Sequence, residues 1–145
     1  MNVAQILREK SVTIISVNEN DSVMDAVRLL AQHGIGALLV INDVDDGAEL
    51  AGILSERDVA KSLPTHGAAL LDMPVSSIMT SGVITCRMSD SIASVMELMT
   101  SRKIRHLPVM AEGKLSAVIS IGDVVKAKIA EAETEAENLK AYIAG

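Results

Sequence analysis

The chain repeats one pattern twice, and this duplication limits the folds that it can adopt. Each copy has four apolar residues with the 0, 3, 4, 7 spacing of one helix face: Val23, Ala26, Val27 and Leu30, then Ile92, Val95, Met96 and Met99. In each copy a short apolar strand follows, and a second strand ends in Ser-x-x-Asp, at Ser55 and Asp58 and at Ser120 and Asp123. The pattern predicts two units related by a pseudo-two-fold axis, so any site between them would occur twice.

Each copy alone is too small to bury a sufficient core, so the pair is expected to fold as one module. The predicted organisation is a first repeat over residues 1–66, a second over 67–128 and a helical tail over 129–145. The 145 residues are 49% hydrophobic but include no Phe or Trp and one Tyr. The core should therefore be aliphatic and rich in methionine.

Composition also excludes several classes of function. A net charge of −6 and the near absence of aromatic residues oppose binding to a nucleic-acid backbone or stacking on bases. A single cysteine, Cys86, excludes an internal disulfide and a multi-cysteine zinc site, and no metal site is expected. The start has no signal-peptide pattern, and no apolar run reaches the roughly 18 residues of a membrane span. We therefore expect a soluble cytoplasmic protein without membrane or nucleic-acid partners.

The Ser-x-x-Asp motif has two interpretations. It resembles a capping box, in which Ser and an acidic residue satisfy the first N–H groups of a helix. Alternatively, the helix N-terminus offers free N–H groups to a phosphate, and the Asp accepts hydrogen bonds from a ribose diol. Arg57, Arg105 and His106, at predicted strand or helix ends, would then neutralise the phosphate. With an aliphatic slot for a base, these groups would form a nucleotide pocket.

The C-terminal region has a different repeat. Apolar residues recur there at intervals of 4, 3, 4, 3 and 4, in a heptad-like stripe: Val125, Ile129, Ala132, Ala136, Leu139 and Ile143. The stripe predicts a helix that packs either on its own domain or on the same helix of a second copy in a homodimer.

Several motifs together resemble a known family. They are Gly52-Ile53-Leu54-Ser55-Glu56-Arg57-Asp58, Ile78-Met79-Thr80 ahead of Val83-Ile84-Thr85, and Arg105-His106-Leu107-Pro108-Val109. With the duplicated β-α-β-β-α plan, they resemble a tandem pair of cystathionine-β-synthase (CBS) domains, a Bateman module, over about residues 1–130. The whole chain resembles the stand-alone bacterial proteins made only of such a pair. The resemblance implies an α+β fold, with two pseudo-two-fold-related repeats packed sheet to sheet and a C-terminal helix.

The resemblance also implies adenine-nucleotide binding in the cleft between repeats, at up to two composite sites. One would join Ser55 and Asp58 to the backbone edge of Val83 and Ile84, and the other would join Ser120 and Asp123 to Thr13 and Ile15. Further site residues would be Arg57, Ala37, Arg105 and His106, the last two near the phosphates.

The two copies differ in charge, so their sites need not bind the same ligand. Arg105 and His106 of the second copy correspond to uncharged Gly36 and Ala37, whereas Arg57 of the first corresponds to Gly122. Family ligands include AMP, ADP, ATP, NAD(H) and S-adenosylmethionine. AMP or another adenosine phosphate ranks first, because basic residues favour a phosphate over a sulfonium.

The function predicted is a regulatory, energy- or redox-sensing module that signals through an unknown regulated protein. The alternative is a ligand-free interaction or scaffold protein in which both Ser-x-x-Asp motifs only cap helices. Catalysis is not expected, because none of the three histidines lies in a recognised catalytic motif.

Overall fold

A computed structural model describes residues 1–9, 14–44 and 47–144, with residues 43, 44 and 47 described by their backbone only. Helix α1 (Val3–Arg8) comes first. The first copy contains β1 (Ser16–Asn18), α2 (Val23–His33), β2 (Ala37–Val44), β3 (Gly47–Ser55) and α3 (Glu56–His66). Two 3-10 helices (Gly67–Asp72 and Val75–Ser77) connect the copies. The second copy contains β4 (Cys86–Arg87), α4 (Ile92–Arg102), β5 (His106–Ala111), β6 (Lys114–Ser120) and α5 (Ile121–Ala144).

The β-α-β-β-α order predicted from the duplication is confirmed in both copies, and the fold is α+β. Each copy forms a three-stranded sheet, in the orders β1-β2-β3 and β4-β5-β6. The first strand pairs parallel to the second in each sheet, and β2 and β3 are antiparallel. In a parallel pair the connection must cross over, and α2 and α4 supply it.

The amphipathic helix pattern identified the core correctly. On α2, Val23, Ala26 and Leu30 are buried, and Ile92, Val95 and Met99 are buried on α4. The fourth residue of each set is half-buried. The predicted helix starts are also confirmed, since Ser22 Oγ accepts the Asp25 N–H at 3.1 Å and Ser91 Oγ accepts the Ser94 N–H at 3.0 Å.

The chain divides into two compact units that interleave along the sequence. Unit 1 consists of Met1–Val12, Thr85–Ala111 and Ser116–Gly145, and unit 2 consists of Thr13–Ile84 and Glu112–Leu115. The segment before the first copy therefore belongs to unit 1, which contains most of the second copy. The segment before the second copy belongs to unit 2, which contains the first copy.

Backbone hydrogen bonds hold these leading segments in equivalent places. In unit 1, the Val3 N–H donates to the Asp90 carbonyl at 3.0 Å, next to the start of α4. In unit 2, the Val75 N–H donates to the Asp21 carbonyl at 2.8 Å, next to the start of α2.

The predicted division at 1–66, 67–128 and 129–145 stays a prediction about the repeats. Helix α5 continues without a break across residue 129.

Cys86 lies on β4 in the core of unit 1, with 3% of its surface exposed. Burial raises the pKa of its thiol from 9.0 to about 11, and the nearby Asp90 carboxylate adds to the shift. The uncharged thiol is thus the form that the fold favours.

We predict that the folded chain keeps the Cys86 thiol protonated well above pH 9. Because the folded pKa is raised, the associated stabilisation is complete below pH 9 and is lost as pH rises through 11. Thiolate absorbance at 240 nm should rise with a midpoint near 11 in the folded protein and near 9 in denaturant. The Cys86→Ala variant provides the baseline from Tyr142, and full thiolate formation at pH 9 in folded protein would contradict the assignment.

Candidate functional site

The Ser-x-x-Asp motif of the first copy lies where β3 ends and α3 begins. Ser55 Oγ accepts the Asp58 N–H at 3.1 Å, and Asp58 Oδ2 accepts the Ser55 N–H at 2.9 Å. This is a complete capping box, in which each side chain satisfies the other residue's backbone. The Asp58 carboxylate is half-buried and fixed in orientation.

The second copy has the same geometry between β6 and α5. Ser120 Oγ accepts the Asp123 N–H at 3.1 Å, and Asp123 Oδ2 accepts the Ser120 N–H at 2.9 Å. The structural interpretation of the motif is therefore confirmed in both copies. Because a carboxylate has roughly four acceptor positions, capping does not by itself prevent ligand binding.

The predicted free N–H groups at the helix starts are largely used within the fold, which corrects that expectation. The Glu56 N–H donates to the Gly36 carbonyl at 3.0 Å, and the Asp58 N–H is bonded to Ser55. In the second copy the Ile121 N–H donates to the Arg105 carbonyl at 2.8 Å. Two of the first three N–H groups of each helix thus have an internal partner, so side chains must supply more of any phosphate binding.

Thr80 joins the site, although the sequence did not single it out as a site residue. It exchanges two backbone hydrogen bonds with Ile53 on β3, at 2.8 and 3.0 Å. Its hydroxyl donates to Asp58 Oδ1 at 3.3 Å. Both oxygens of Asp58 therefore have a partner in unit 2.

Gly52 permits this close approach of the 79–80 segment to β3. An ideal Cβ at Gly52 would lie 2.6 Å from the Thr80 carbonyl oxygen and 3.0 Å from Met79 Sδ. Backbone oxygen cannot move aside as a flexible side chain can, so no larger residue fits here without a shift. The corresponding residue of the second copy is Ala117, so the two copies differ in residue type at this position.

Unit 2 contains most of the described residues predicted for the two sites. They are Ile15, Ala37, Ser55, Arg57, Asp58, Val83 and Ile84. Ile15, Ala37, Val83 and Ile84 are half-buried and Arg57 is exposed. Asp58, the predicted ribose acceptor, and Val83 and Ile84, the predicted base edge, therefore belong to one compact unit. The sequence alone predicts them on different repeats.

The other described residues of the prediction belong to unit 1. Arg105 is exposed, and His106 is half-buried at the start of β5. The pairing of Ser120 and Asp123 with Thr13 and Ile15 would join residues of both units and stays a prediction. Thr13 lies outside the described residues.

Within residues 1–9, 14–44 and 47–144, no group of three His, Cys, Asp or Glu side chains is placed to hold a metal ion. In that same part of the chain, no helix has the length and apolar character needed to cross a membrane.

Two β-α-β-β-α repeats, each ending in a helix that a Ser-x-x-Asp motif caps, define a tandem-repeat architecture. The CBS-domain family model matches residues 3–65 and 75–130. The chain belongs to the CBS-domain family and carries two copies of the domain, as the sequence motifs predicted. CBS domains are generally regulatory modules without catalysis of their own.

Individual relatives agree with this assignment. The CBS-domain containing protein ATU1752 from Agrobacterium tumefaciens is 38% identical, with a TM-score of 0.79 over 88% of this chain and 92% of that one. The mitochondrial CBS domain-containing protein CBSX3 of Arabidopsis thaliana is 38% identical over 87% of this chain, which spans 62% of that protein's length. The CBS domain pair of protein MJ0100, solved in complex with 5′-methylthioadenosine and S-adenosyl-L-methionine, is 25% identical with a TM-score of 0.73. It is matched over 88% of this chain and 98% of its own length.

We predict that Gly52→Ala lowers the free energy of unfolding by about 1–3 kcal/mol, because the new methyl group meets the Thr80 carbonyl. Gly122→Ala is the matched control, since an ideal Cβ there has ordinary contact with Ser120 Oγ at 3.7 Å. In α5 that change should be neutral or stabilise by up to about 1 kcal/mol. Urea denaturation measures both, and equal effects would contradict the close-approach role of Gly52.

Proposed function

We propose that the chain is a regulatory module that binds an adenine nucleotide on unit 2. AMP is the first candidate, and ADP, ATP, NAD(H) and S-adenosylmethionine are further ones. The observation that carries the proposal is the Asp58 carboxylate, half-buried and oriented by hydrogen bonds from Ser55 and Thr80.

Asp58 is suited to accept a ribose diol. Described residues occupy two of its roughly four acceptor positions, so a 2′,3′-diol can use the others. Its orientation is fixed before binding, which lowers the entropy lost when a ligand is ordered. The Thr80 hydroxyl, at 3.3 Å, is a long hydrogen bond, and a ribose hydroxyl can replace it.

The adenine would bind along the backbone of Val83 and Ile84. Both residues lie outside regular strands and helices and are half-buried. A peptide edge offers one acceptor for the adenine N6 amino group and one donor for N1. Val83 lies three positions after Thr80, a span of at most about 11 Å, so the same anchored segment would supply the Asp58 partner and the base edge.

A bound phosphate would be held mainly by basic side chains, because most of the first N–H groups of α3 have internal partners. Arg57, next to Asp58 on α3, is exposed and has the planar guanidinium that binds phosphate oxygens in pairs. Arg105 and His106 on unit 1 are the further candidates. The adenosine ligands of the MJ0100 pair support the nucleoside part of the proposal, and the three basic residues support the phosphate.

The remaining parts of the proposal extend the expectations stated for the sequence. The module acts without catalysis, as a homodimer, in the cytoplasm, on a regulated protein not yet identified. A net charge of −6 disfavours nucleic acid as that partner. A second candidate function is a ligand-free interaction protein, and the complete capping boxes in both copies favour it.

We predict that AMP raises the melting temperature by several degrees. A ligand specific for the folded state stabilises it by about 2.7 kcal/mol at a hundredfold excess over Kd. GMP should give a smaller shift, because guanine presents a carbonyl and an N–H where adenine has an amino group and a ring nitrogen. Differential scanning fluorimetry with both nucleotides measures this, and equal shifts would count against the adenine edge at Val83 and Ile84.

We further predict that Asp58→Asn weakens AMP binding at this site at least about tenfold. The variant loses charge-assisted hydrogen bonds worth roughly 1.5–3 kcal/mol each, while the amide carbonyl can still accept the Ser55 N–H. Glu56→Gln is the matched control, because it also removes one negative charge from the first turn of α3 and Glu56 is exposed. Isothermal titration calorimetry should show little change for that control.

The same measurement separates the two candidate functions. If Asp58 only caps α3, the variant loses about 0.5–2 kcal/mol of stability and keeps its affinity. Asp123→Asn should affect only a second site, and the double variant should bind no AMP. Unchanged affinity in a folded double variant would favour the ligand-free interaction protein.

A further inference from the structure

The C-terminal half of helix α5 is exposed. Val124 is its buried residue, and every residue from 132 to 144 is exposed. Thirteen helical residues extend about 20 Å. A helix this exposed is marginal in water unless a tertiary contact covers its apolar face.

The exposed part carries the apolar stripe that the sequence predicted. Ile129 is 54% exposed, Leu139 61% and Ile143 76%. In heptad positions, the stripe has Ile129, Ala136 and Ile143 at a and Val125, Ala132 and Leu139 at d. A 3.5-residue repeat keeps such a stripe facing one partner helix in a left-handed coiled coil.

We propose that α5 of a second copy covers this stripe, in a parallel and in-register coiled coil. The proposal takes the homodimer of the proposed function as its starting point, and it does not depend on nucleotide binding. The charges beside the stripe favour a second copy of α5 in the parallel orientation.

The flanking charges complement each other in the parallel arrangement. Positions e hold Lys126, Glu133 and Lys140, and positions g hold Lys128, Glu135 and Tyr142. In a parallel pair, each g residue lies beside the e residue five positions later in the other helix. Lys128 then meets Glu133 of the second copy, and Glu135 meets Lys140 of the second copy. Symmetry doubles these pairs, giving four attractive contacts.

The antiparallel arrangement brings like charges together. With the ends of the stripe aligned, e residues lie beside e residues and g residues beside g residues. Glu133 would face Glu133 of the second copy, Glu135 would face Glu135, and Lys126 would face Lys140. Like charges at these positions select against a partner orientation, so the charge pattern favours the parallel pair.

Two alanines in the central layers make this coil weak in isolation. Ala132 and Ala136 bury little area compared with Ile or Leu, and the stripe covers fewer than three heptads. The remainder of the dimer must supply additional contact. The experiments therefore use the full chain.

The first experiment compares two identical substitutions on α5. Ala136→Glu places a charge in the stripe, whereas Ala141→Glu places the same charge at position f, away from it. Both alanines are exposed in the single chain. Sedimentation equilibrium should show the dimer dissociation constant rising at least about tenfold, or about 1.4 kcal/mol, for the first variant only. Equal dissociation constants, with both variants folded by circular dichroism, would overturn the proposal.

The second experiment tests orientation. In the parallel pair, position 139 of each copy faces position 139 of the other, so Leu139→Cys should form an interchain disulfide on mild oxidation. The antiparallel pair places position 139 opposite position 129 and gives no such bond. The parent chain is the control, because its Cys86 is buried. A dimer without the linkage at position 139 would overturn the coiled coil and leave the homodimer intact. A monomer at tens of micromolar would overturn both.

Discussion

The two backbone hydrogen bonds between Ile53 and Thr80 determine how the candidate site of unit 2 is assembled. They hold the 79–80 segment along β3, and this brings the Thr80 hydroxyl to Asp58. They also anchor the chain just before Val83 and Ile84, the proposed base edge. All of this depends on Gly52, because a side chain at that position would meet the Thr80 carbonyl. One missing Cβ thus permits the contact on which the site's geometry rests.

Helix capping and ligand binding place the same demand on Asp58, so they do not exclude each other. The capping box of α3 uses the Asp58 carboxylate in a fixed orientation, and a ribose diol would bind the same group in the same state. The cap also consumes N–H groups that a phosphate could otherwise use. In α3, Gly36 and Ser55 take two of the first three. Any phosphate binding would therefore depend more on basic side chains, which differ between the copies.

The duplication produces equivalent frameworks with different chemistry. Leading segments, helix caps and strand order recur in both units, with matching hydrogen bonds at Val3 and Val75. Arg57 has Gly122 as its counterpart, and Arg105 has Gly36. The backbone hydrogen bonds do not involve these side chains, so the same framework carries different charges in the two copies. Helices α3 and α5 are a further example. Both begin with a Ser-x-x-Asp capping box, but only α5 continues into an exposed apolar stripe.

The sequence by itself determined the features that depend on residues three or four positions apart. Apolar periodicity identified α2 and α4 with their buried faces, Ser22 and Ser91 marked helix starts, and the Ser-x-x-Asp motifs predicted both caps. The heptad stripe on α5 was equally visible. Only the tertiary structure decided which copy each leading segment joins, that Thr80 reaches Asp58, and that Asp58, Val83 and Ile84 share one unit. Each leading segment could pack on either of two similar copies, and the local sequence pattern does not distinguish between them. The choice depends on packing between residues far apart in the chain.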